Sequence, residues 1–113
     1  MQEDFVDFGE IAASAVGRTG TIWTLEESGD LNANLVRFET GGGVGEHINE
    51  EVDVLIVGVS GSGLVEVNGD EHPVSNRVMI LVPRGARRST RATSEGFVYL
   101  SVHRRRGPLR IGD

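Results

Sequence analysis

Apolar and polar residues alternate along short stretches of this chain, and glycine-rich turns separate the stretches. Val65 and Val67 share one face of an extended segment with Glu66 opposite, which is the period-two pattern of a half-buried strand. Helical spacing of apolar residues occurs only over Phe8–Val16. The pattern predicts strands over Thr19–Leu25, Leu31–Glu39, Val52–Val59, Gly63–Val67, Arg77–Val82, Arg87–Ala92 and Gly96–His103.

Turn residues indicate an all-β fold. Asn68-Gly69 is the pair that best tolerates the positive φ angles of a type I′ hairpin turn. Pro83 and Pro108 each follow a predicted strand, where a missing N–H does not interrupt a ladder. Seven or eight short strands at this spacing are typical of a β-sandwich or small barrel. The 113 residues predict a single domain, 1–113.

One predicted strand is apolar on both of its faces. In Val52–Val59, valine and isoleucine on one face are matched by leucine and valine on the other. Such a strand is covered twice, by the core on one side and by a partner subunit on the other. The pattern therefore predicts a homodimer formed by strand packing.

Composition excludes several classes of protein. The chain has no cysteine, which rules out disulfides, thiolate metal sites and cysteine nucleophiles. The longest apolar run, at 78–82, is far shorter than the roughly 20 residues that span a bilayer. The first four residues include two acids and no base, whereas a secretory signal begins with basic residues. We expect a soluble, cytoplasmic protein with no membrane partner.

Charge is distributed unevenly. Residues 1–76 contain 15 acidic and 2 basic residues, net −13, and residues 77–113 contain 9 basic and 2 acidic residues, net +7. All the basic residues are arginine. The run His103-Arg104-Arg105-Arg106 suggests nucleic-acid binding, but the net charge of −6 and the few aromatic residues favour pairing between acidic and basic strands, within the fold or across a dimer. No nucleic-acid partner is predicted.

The segment 41–53 contains the densest set of chemically active side chains. His47, Asn49, Glu51 and Asp53 have the same parity, so in an extended segment they would line one face. Imidazole, amide and carboxylate groups on one face can bind a divalent metal or orient a polar ligand. The alternative is a turn with a capping asparagine and solvated acids.

This segment resembles the first signature of the cupin superfamily, G-x5-H-x-H-x(3 or 4)-E-x6-G, over residues 41–61. Gly41, His47 and Gly61 match, Asn49 stands for the second histidine, and Asp53 is one residue out of register with the glutamate. The resemblance implies a cupin-like double-stranded β-helix, which is a jelly-roll barrel.

A second cupin signature, G-x5-P-x-G-x2-H-x3-N, is matched in part over residues 77–92. Pro83 and Gly85 are present, while Arg77, Arg88 and Ala92 replace the leading glycine, the histidine and the asparagine. With the hairpin between them, the two signatures span residues 41–92, about half of the chain. Metal-binding cupins are similar in having three histidines and one glutamate, of which only His47 is kept here.

Arg88 stands where the resemblance places a metal ligand, and guanidinium has no lone pair to offer a metal. We therefore predict that its charge replaces the metal and that it pairs with Asp53 or Glu51. On the last strand, Phe97, Tyr99, Ser101 and His103 alternate with Val98, Leu100 and Val102. If the aliphatic set packs inward, the interpretation favoured here, His103 lies outside. Otherwise Tyr99 and His103 face the pocket.

Three functions are compatible with these residues. The first is small-molecule binding without a metal, in a pocket built on His47, Asn49, Asp53 and Arg88, with Glu51, Tyr99 and His103 as further candidates. The second is a cupin enzyme of the dioxygenase, isomerase or decarboxylase type. It would hold a divalent transition metal through His47, Asn49, Asp53 and His103, or use His47 as a metal-free general base. The third is a regulatory protein that docks through its arginine-rich C-terminal end.

Overall fold

The computed structural model describes residues 5–105. Within that range the chain forms a short helix, α1, and nine strands, β1 to β9. In chain order these elements are α1 Phe8–Ser14, β1 Gly20–Thr24, β2 Leu31–Phe38, β3 Gly43–Ile48, β4 Val54–Ser60, β5 Ser62–Val67, β6 Asp70–Ser75, β7 Met79–Val82, β8 Arg87–Ala92 and β9 Phe97–Arg104.

The nine strands of the described part form two antiparallel sheets. One sheet has the order β1-β2-β9-β4-β7 and the other has the order β3-β8-β5-β6. Most neighbours in the sheets come from distant parts of the chain, as when β9 pairs with both β2 and β4. This arrangement confirms the predicted all-β jelly roll.

The core lies between the two sheets. Val54 and Ile56 of β4, Val65 of β5 and Phe97 of β9 are almost completely buried there. A second apolar cluster lies on the outer face of the five-stranded sheet, where α1 packs over it. Trp23 belongs to this outer cluster and meets Phe8 edge to face, with ring centroids 5.6 Å apart.

The predicted hairpin turn and the predicted helix are present. Asn68 and Gly69 both have positive φ, 51° and 89°, as a type I′ turn requires. The helix is shorter than the apolar pattern predicted and ends at Ser14. Asp7 caps it by accepting a hydrogen bond from the backbone N–H of Glu10.

Two strands, β3 and β6, were not among the strands predicted by their own pattern, although the hairpin turn predicted at Asn68-Gly69 implies a strand where β6 begins. Nearly all of β3 is exposed, and β6 has one buried residue, Val74. Neither strand therefore shows the alternation of buried and exposed positions that reveals a strand in a sequence. Both lie at the edges of the four-stranded sheet, where only one neighbour is needed.

The outer face of β4 is only partly covered. Leu55 and Val57 are half-buried there and pair across to Leu81 and Met79 of the edge strand β7. Leu81 and Met79 are 55% and 58% exposed. The homodimer predicted from the two apolar faces of this strand stays a prediction. Within residues 5–105, no helix has the length and apolar character needed to cross a membrane.

Candidate functional site

A cavity of about 160 Å³ lies between the two sheets. Both sheets contribute to its wall, which combines apolar side chains with polar groups. The lining residues are Thr21, Asn34, Val36, Val44, His47, Ile56, Arg88, Thr90, Tyr99 and Ser101. Among them His47, Arg88 and Tyr99 are residues that the sequence singled out.

A β-bulge in β3 turns His47 into this cavity. Val44 pairs with Thr90 and His47 pairs with Arg88, so three steps along β3 correspond to two along β8. In a regular strand Val44 and His47 would point to opposite faces, because they differ by an odd number of residues. The extra residue in the bulge removes that conflict, and both side chains line the cavity.

His47 and Arg88 are directly hydrogen-bonded. Arg88 Nε donates to His47 Nε2 over 3.0 Å. Guanidinium can only donate, so Nε2 must be the unprotonated nitrogen of the ring. The other nitrogen, Nδ1, lies 3.0 Å from the carbonyl oxygen of Gly45, to which it donates its proton. Both ring nitrogens are thus engaged, and in this arrangement the imidazole is neutral.

Tyr99 presents a neutral phenol to the cavity. Its side chain is 4% exposed and lies against the ring of Phe97. Burial raises the pKa of Tyr99 to about 12, although a hydrogen bond with the Thr90 side chain and the positive charge of Arg88 both act to lower it. At neutral pH the hydroxyl can therefore both donate and accept a hydrogen bond.

The predicted pairing of Arg88 with Asp53 or Glu51 is wrong. Asp53 Oδ1 accepts a hydrogen bond from the backbone N–H of Arg84, 2.8 Å away. The carbonyl oxygen of Glu51 accepts from Arg104 Nη2, and its side chain is exposed. Neither carboxylate lines the cavity. The predicted inward position of Arg88 is nevertheless the one observed, since its side chain does line the cavity.

Asn49 also lies outside the cavity lining. The strand β3 ends at Ile48, so the alternation that would have placed Asn49 and Asp53 beside His47 stops there. Asn49 Oδ1 instead accepts hydrogen bonds from the backbone N–H groups of Glu51 and Val52. For Asn49 the alternative interpretation, a turn capped by asparagine, is therefore the correct one.

Asp53 is expected to stabilise the turn that follows β7. Replacing Asp53 by alanine removes the acceptor for the Arg84 N–H and should lower the free energy of unfolding by about 1 kcal/mol. Asp53→Asn keeps an oxygen in the same place and should unfold close to the wild type. Urea titrations of both variants measure this difference. If Asp53→Ala unfolds at the wild-type urea concentration, the hydrogen bond contributes nothing.

The last strand shows the opposite orientation to the favoured one. Tyr99 and Ser101 face the cavity, and Val98 and Leu100 pack on the outer face beneath α1. His103 continues the inward-facing series but lies beyond the lining. Its Nδ1 donates to the carbonyl oxygen of Arg104 over 2.7 Å. His103 and His47 are thus not brought together in one site.

Four polar lining residues were missed by the sequence prediction. Thr90 lies two residues after Arg88 on β8, and Asn34 pairs with Ser101 between β2 and β9. The signal that could have found Thr90 and Ser101 is parity, because they share a strand face with Arg88 and Tyr99. Thr21 and Asn34 could be placed in the lining only from the pairing of the strands, which the sequence does not specify.

The side chains of this cavity do not fit the metal centre that the cupin signatures imply. The only lone pair that His47 could offer a metal at Nε2 accepts the Arg88 proton instead. Asn49, Asp53 and His103 do not reach the cavity. Among residues 5–105, no group of three or more histidine, cysteine, aspartate or glutamate side chains is placed to hold a metal ion.

The arginine-rich end makes contacts with the backbone where it is described. Arg104 Nη2 donates to the carbonyl oxygen of Glu51, and Arg105 Nη2 donates to that of Ser28. These bonds fasten the end of β9 to two preceding loops. Arg106, the third arginine of the predicted docking run, lies outside the described residues.

Comparison with known proteins identifies the fold. No protein-family model matches the chain, and no curated protein matches it. Several solved structures do match the chain. A Bacillus halodurans protein superimposes with a TM-score of 0.77 and 18% identity, over 99% of this chain and 87% of that one. A cupin-2 domain protein from Shewanella frigidimarina gives a TM-score of 0.71 and 18% identity, over 93% of this chain and 99% of that one.

A further similar structure is KdgF from Halomonas sp., with a TM-score of 0.70 and 21% identity. The match covers 75% of this chain and 77% of KdgF. At such identities the similarity concerns the backbone architecture. This similarity agrees with the two sequence motifs, and with the pairing of β3 with β8 and of β4 with β9. The chain has the fold of the cupin superfamily.

Proposed function

We propose that this protein binds one small polar molecule in the cavity between its sheets, through His47, Arg88 and Tyr99. The observation that carries this proposal is the hydrogen-bonded His47–Arg88 pair, which holds a guanidinium at the wall of the same cavity that the Tyr99 phenol faces. Fixed polar groups on an apolar wall are the usual composition of a small-molecule site.

The two kinds of lining have different roles in this proposal. Val36, Val44 and Ile56 supply apolar surface for the carbon skeleton of the ligand. The hydroxyls of Thr90 and Ser101, with the groups named above, supply directed hydrogen bonds. Because these polar groups lie on strands of both sheets, their relative positions are fixed by the barrel and not by a mobile loop.

The size of the cavity limits the ligand. An apolar cavity of about 150 Å³ is known to hold one benzene molecule, and this one measures about 160 Å³. A ligand that fits entirely inside therefore has about six to eight non-hydrogen atoms. A larger molecule would have to extend out of the cavity mouth.

Substitution of Arg88 tests this proposal. Compounds of fewer than about ten non-hydrogen atoms, with acidic, basic and neutral members, would be screened by ligand-observed NMR. We expect Arg88→Gln to weaken the binding of the hits by about tenfold or more, because a hydrogen bond from a charged donor is lost. Arg91→Gln is the matched control, since Arg91 lies on the same strand and is exposed.

The decisive comparison is between the two arginine variants. Glutamine at position 88 can still donate to His47 Nε2, so the fold is expected to survive, which circular dichroism would check. Equal affinity of the hits for the wild type and Arg88→Gln would contradict the proposal. Equal losses in Arg88→Gln and Arg91→Gln would do so as well, because they would indicate general electrostatics and not a site.

A further inference from the structure

The edge strand β7 leaves apolar side chains uncovered on the outer face of the five-stranded sheet. Two rows of directly opposed apolar residues cross this face, and both rows end on β7. The rows are Ala33-Val102-Leu55-Leu81 and Leu35-Leu100-Val57-Met79. Helix α1 packs over Leu35 and Leu100, whereas Leu81 and Met79 are more than half exposed. Exposed apolar side chains that continue a buried row are typical of an interaction surface.

The backbone of β7 has hydrogen-bonding groups directed away from the sheet. In the described part of the chain, β7 has β4 as its one strand neighbour. The Gly58 N–H of β4 donates to the Val78 carbonyl oxygen over 2.8 Å, so these two residues form a hydrogen-bonded pair. Bonded and non-bonded pairs alternate in an antiparallel ladder, so Ile80 is bonded to β4 while Met79 and Leu81 are not. The N–H and C=O groups of Met79 and Leu81 therefore point to the open edge.

These groups match those of a second β7 strand. When two copies of β7 run antiparallel with Ile80 opposite Ile80, Met79 of each copy lies opposite Leu81 of the other, about a two-fold axis. Each of these pairs can exchange both of its N–H···O bonds, and the four side chains meet on one face. The residues of Met79–Val82 include neither a charge nor a proline, which are the residues that protect a sheet edge from such pairing.

The two ends of β7 have charges that are complementary in this arrangement. Arg77 is exposed before the strand, and the exposed Asp53 lies beside its other end, where it accepts from the Arg84 N–H. Loop 50–53 has three carboxylates, which outnumber the nearby Arg84 and Arg104. The antiparallel register places Arg77 of each copy two strands from Asp53 of the other. That separation is about 10 Å between backbones, which the two side chains together can span.

We propose that two copies of this chain associate through β7, so that their five-stranded sheets join edge to edge. A second copy fits this edge because the backbone groups, the apolar side chains and the terminal charges of β7 are all complementary to themselves after a two-fold rotation. Because β7 is short, the contact is small, and the dimer dissociates on dilution.

Two charge variants test the proposed register. In Arg77→Asp a carboxylate meets Asp53 of the other copy at both ends of the interface, and in Asp53→Arg two guanidiniums meet there. Each variant alone should therefore dimerise about tenfold more weakly than the wild type. In an equimolar mixture opposite charges meet at both ends, so the mixture should dimerise like the wild type. Sedimentation velocity from about 5 µM to about 500 µM measures the association, and circular dichroism checks that each variant is folded.

A second pair of variants tests the apolar contact. Leu81→Lys places a charge in the centre of the interface and should abolish the dimer. Leu31→Lys is the matched control, because Leu31 is 47% exposed on β2, which β9 and β4 separate from β7. In the wild type, the Met79 and Leu81 amides should become protected from hydrogen exchange as the protein concentration rises, because dimerisation bonds them.

Three results would overturn the proposal. The first is a wild type that stays monomeric over the whole concentration range, which would leave the edge for a strand of another protein. The second is a dimer in which the Met79 and Leu81 amides exchange as fast as in dilute protein, because such a dimer uses a different face. The third is a mixture of the two charge variants that dimerises no better than either variant alone, which would exclude this register.

Discussion

Replacing Gly58 by alanine is expected to lower the free energy of unfolding by about 3 kcal/mol. A Cβ atom at this position would lie 2.0 Å from the carbonyl oxygen of Ser75 and 3.1 Å from Val74 Cγ1. Gly58 is in the centre of β4 and Ser75 ends β6, so the added methyl group would separate the two sheets. The obstacle is backbone, which a change of rotamer cannot move.

Gly29→Ala is the control for this substitution. Gly29 lies in the loop before β2, and nothing lies within 4 Å of the position where its Cβ would be. Its φ angle is not in the left-handed region, so alanine should be accommodated with little change in stability. Urea unfolding of both variants measures the difference. Equal midpoints would show that β4 and β6 can move apart at no cost.

The role of Gly58 illustrates what the sequence could not predict. Glycines are read in a sequence as turn residues, and Gly69 and Gly85 do have positive φ in turns. Gly58 and Gly63 lie inside strands instead, and a Cβ on Gly63 would be 2.3 Å from the buried Phe97 ring. Those contacts join segments far apart in the chain, so only the folded barrel reveals why glycine is needed there.

The predicted fold was correct because local signals agreed with each other. The Asn68-Gly69 turn, the apolar strand β4 and the Pro83–Gly85 turn all indicate short strands joined by tight turns, and the resemblance to the cupin signatures implied the jelly roll. The missed strand β3 lacks such a signal and β6 is marked only by the turn before it, since both lie at sheet edges with exposed side chains. Edge strands need little apolar surface, and a method based on alternation overlooks them.

The candidate site was predicted less well than the fold. Parity placed Asn49, Glu51 and Asp53 beside His47, but β3 ends at Ile48, so the alternation does not extend to them. The bulge lies between Val44 and His47, and it changes the face of His47 relative to Val44 only. The pairing of Arg88 with His47 depends on the register between β3 and β8, which the sequence does not specify.

The charge asymmetry of the chain is explained only in part. Of the ion pairs in residues 5–105, Arg87–Glu46 joins the basic C-terminal part to the acidic N-terminal part, as the favoured interpretation predicted. Arg37–Glu39 lies within the N-terminal part. Arg104 and Arg105 bond to carbonyl oxygens and not to carboxylates. Guanidinium groups here stabilise loops as much as they neutralise acids.

Stability is expected to fall by about 2 kcal/mol between pH 10 and pH 12, through the titration of Tyr99. Burial raises the pKa of its phenol from 10 in the unfolded chain to about 12 in the fold. Above pH 10 the unfolded chain loses this proton while the folded protein keeps it. The unfolded state then binds fewer protons, so the free energy of unfolding decreases as the pH rises through this window.

The composition of the chain isolates this effect. It contains a single tyrosine, no lysine and no cysteine, so no other side chain has an ordinary pKa between 9 and 12. Absorbance near 295 nm, where phenolate absorbs, should follow Tyr99 alone, and urea midpoints at each pH should decline along the same curve. Tyr99→Phe should remove the decline. A phenol that titrates near pH 10 in the folded protein would show that water reaches Tyr99 and that its side chain is not buried in the fold.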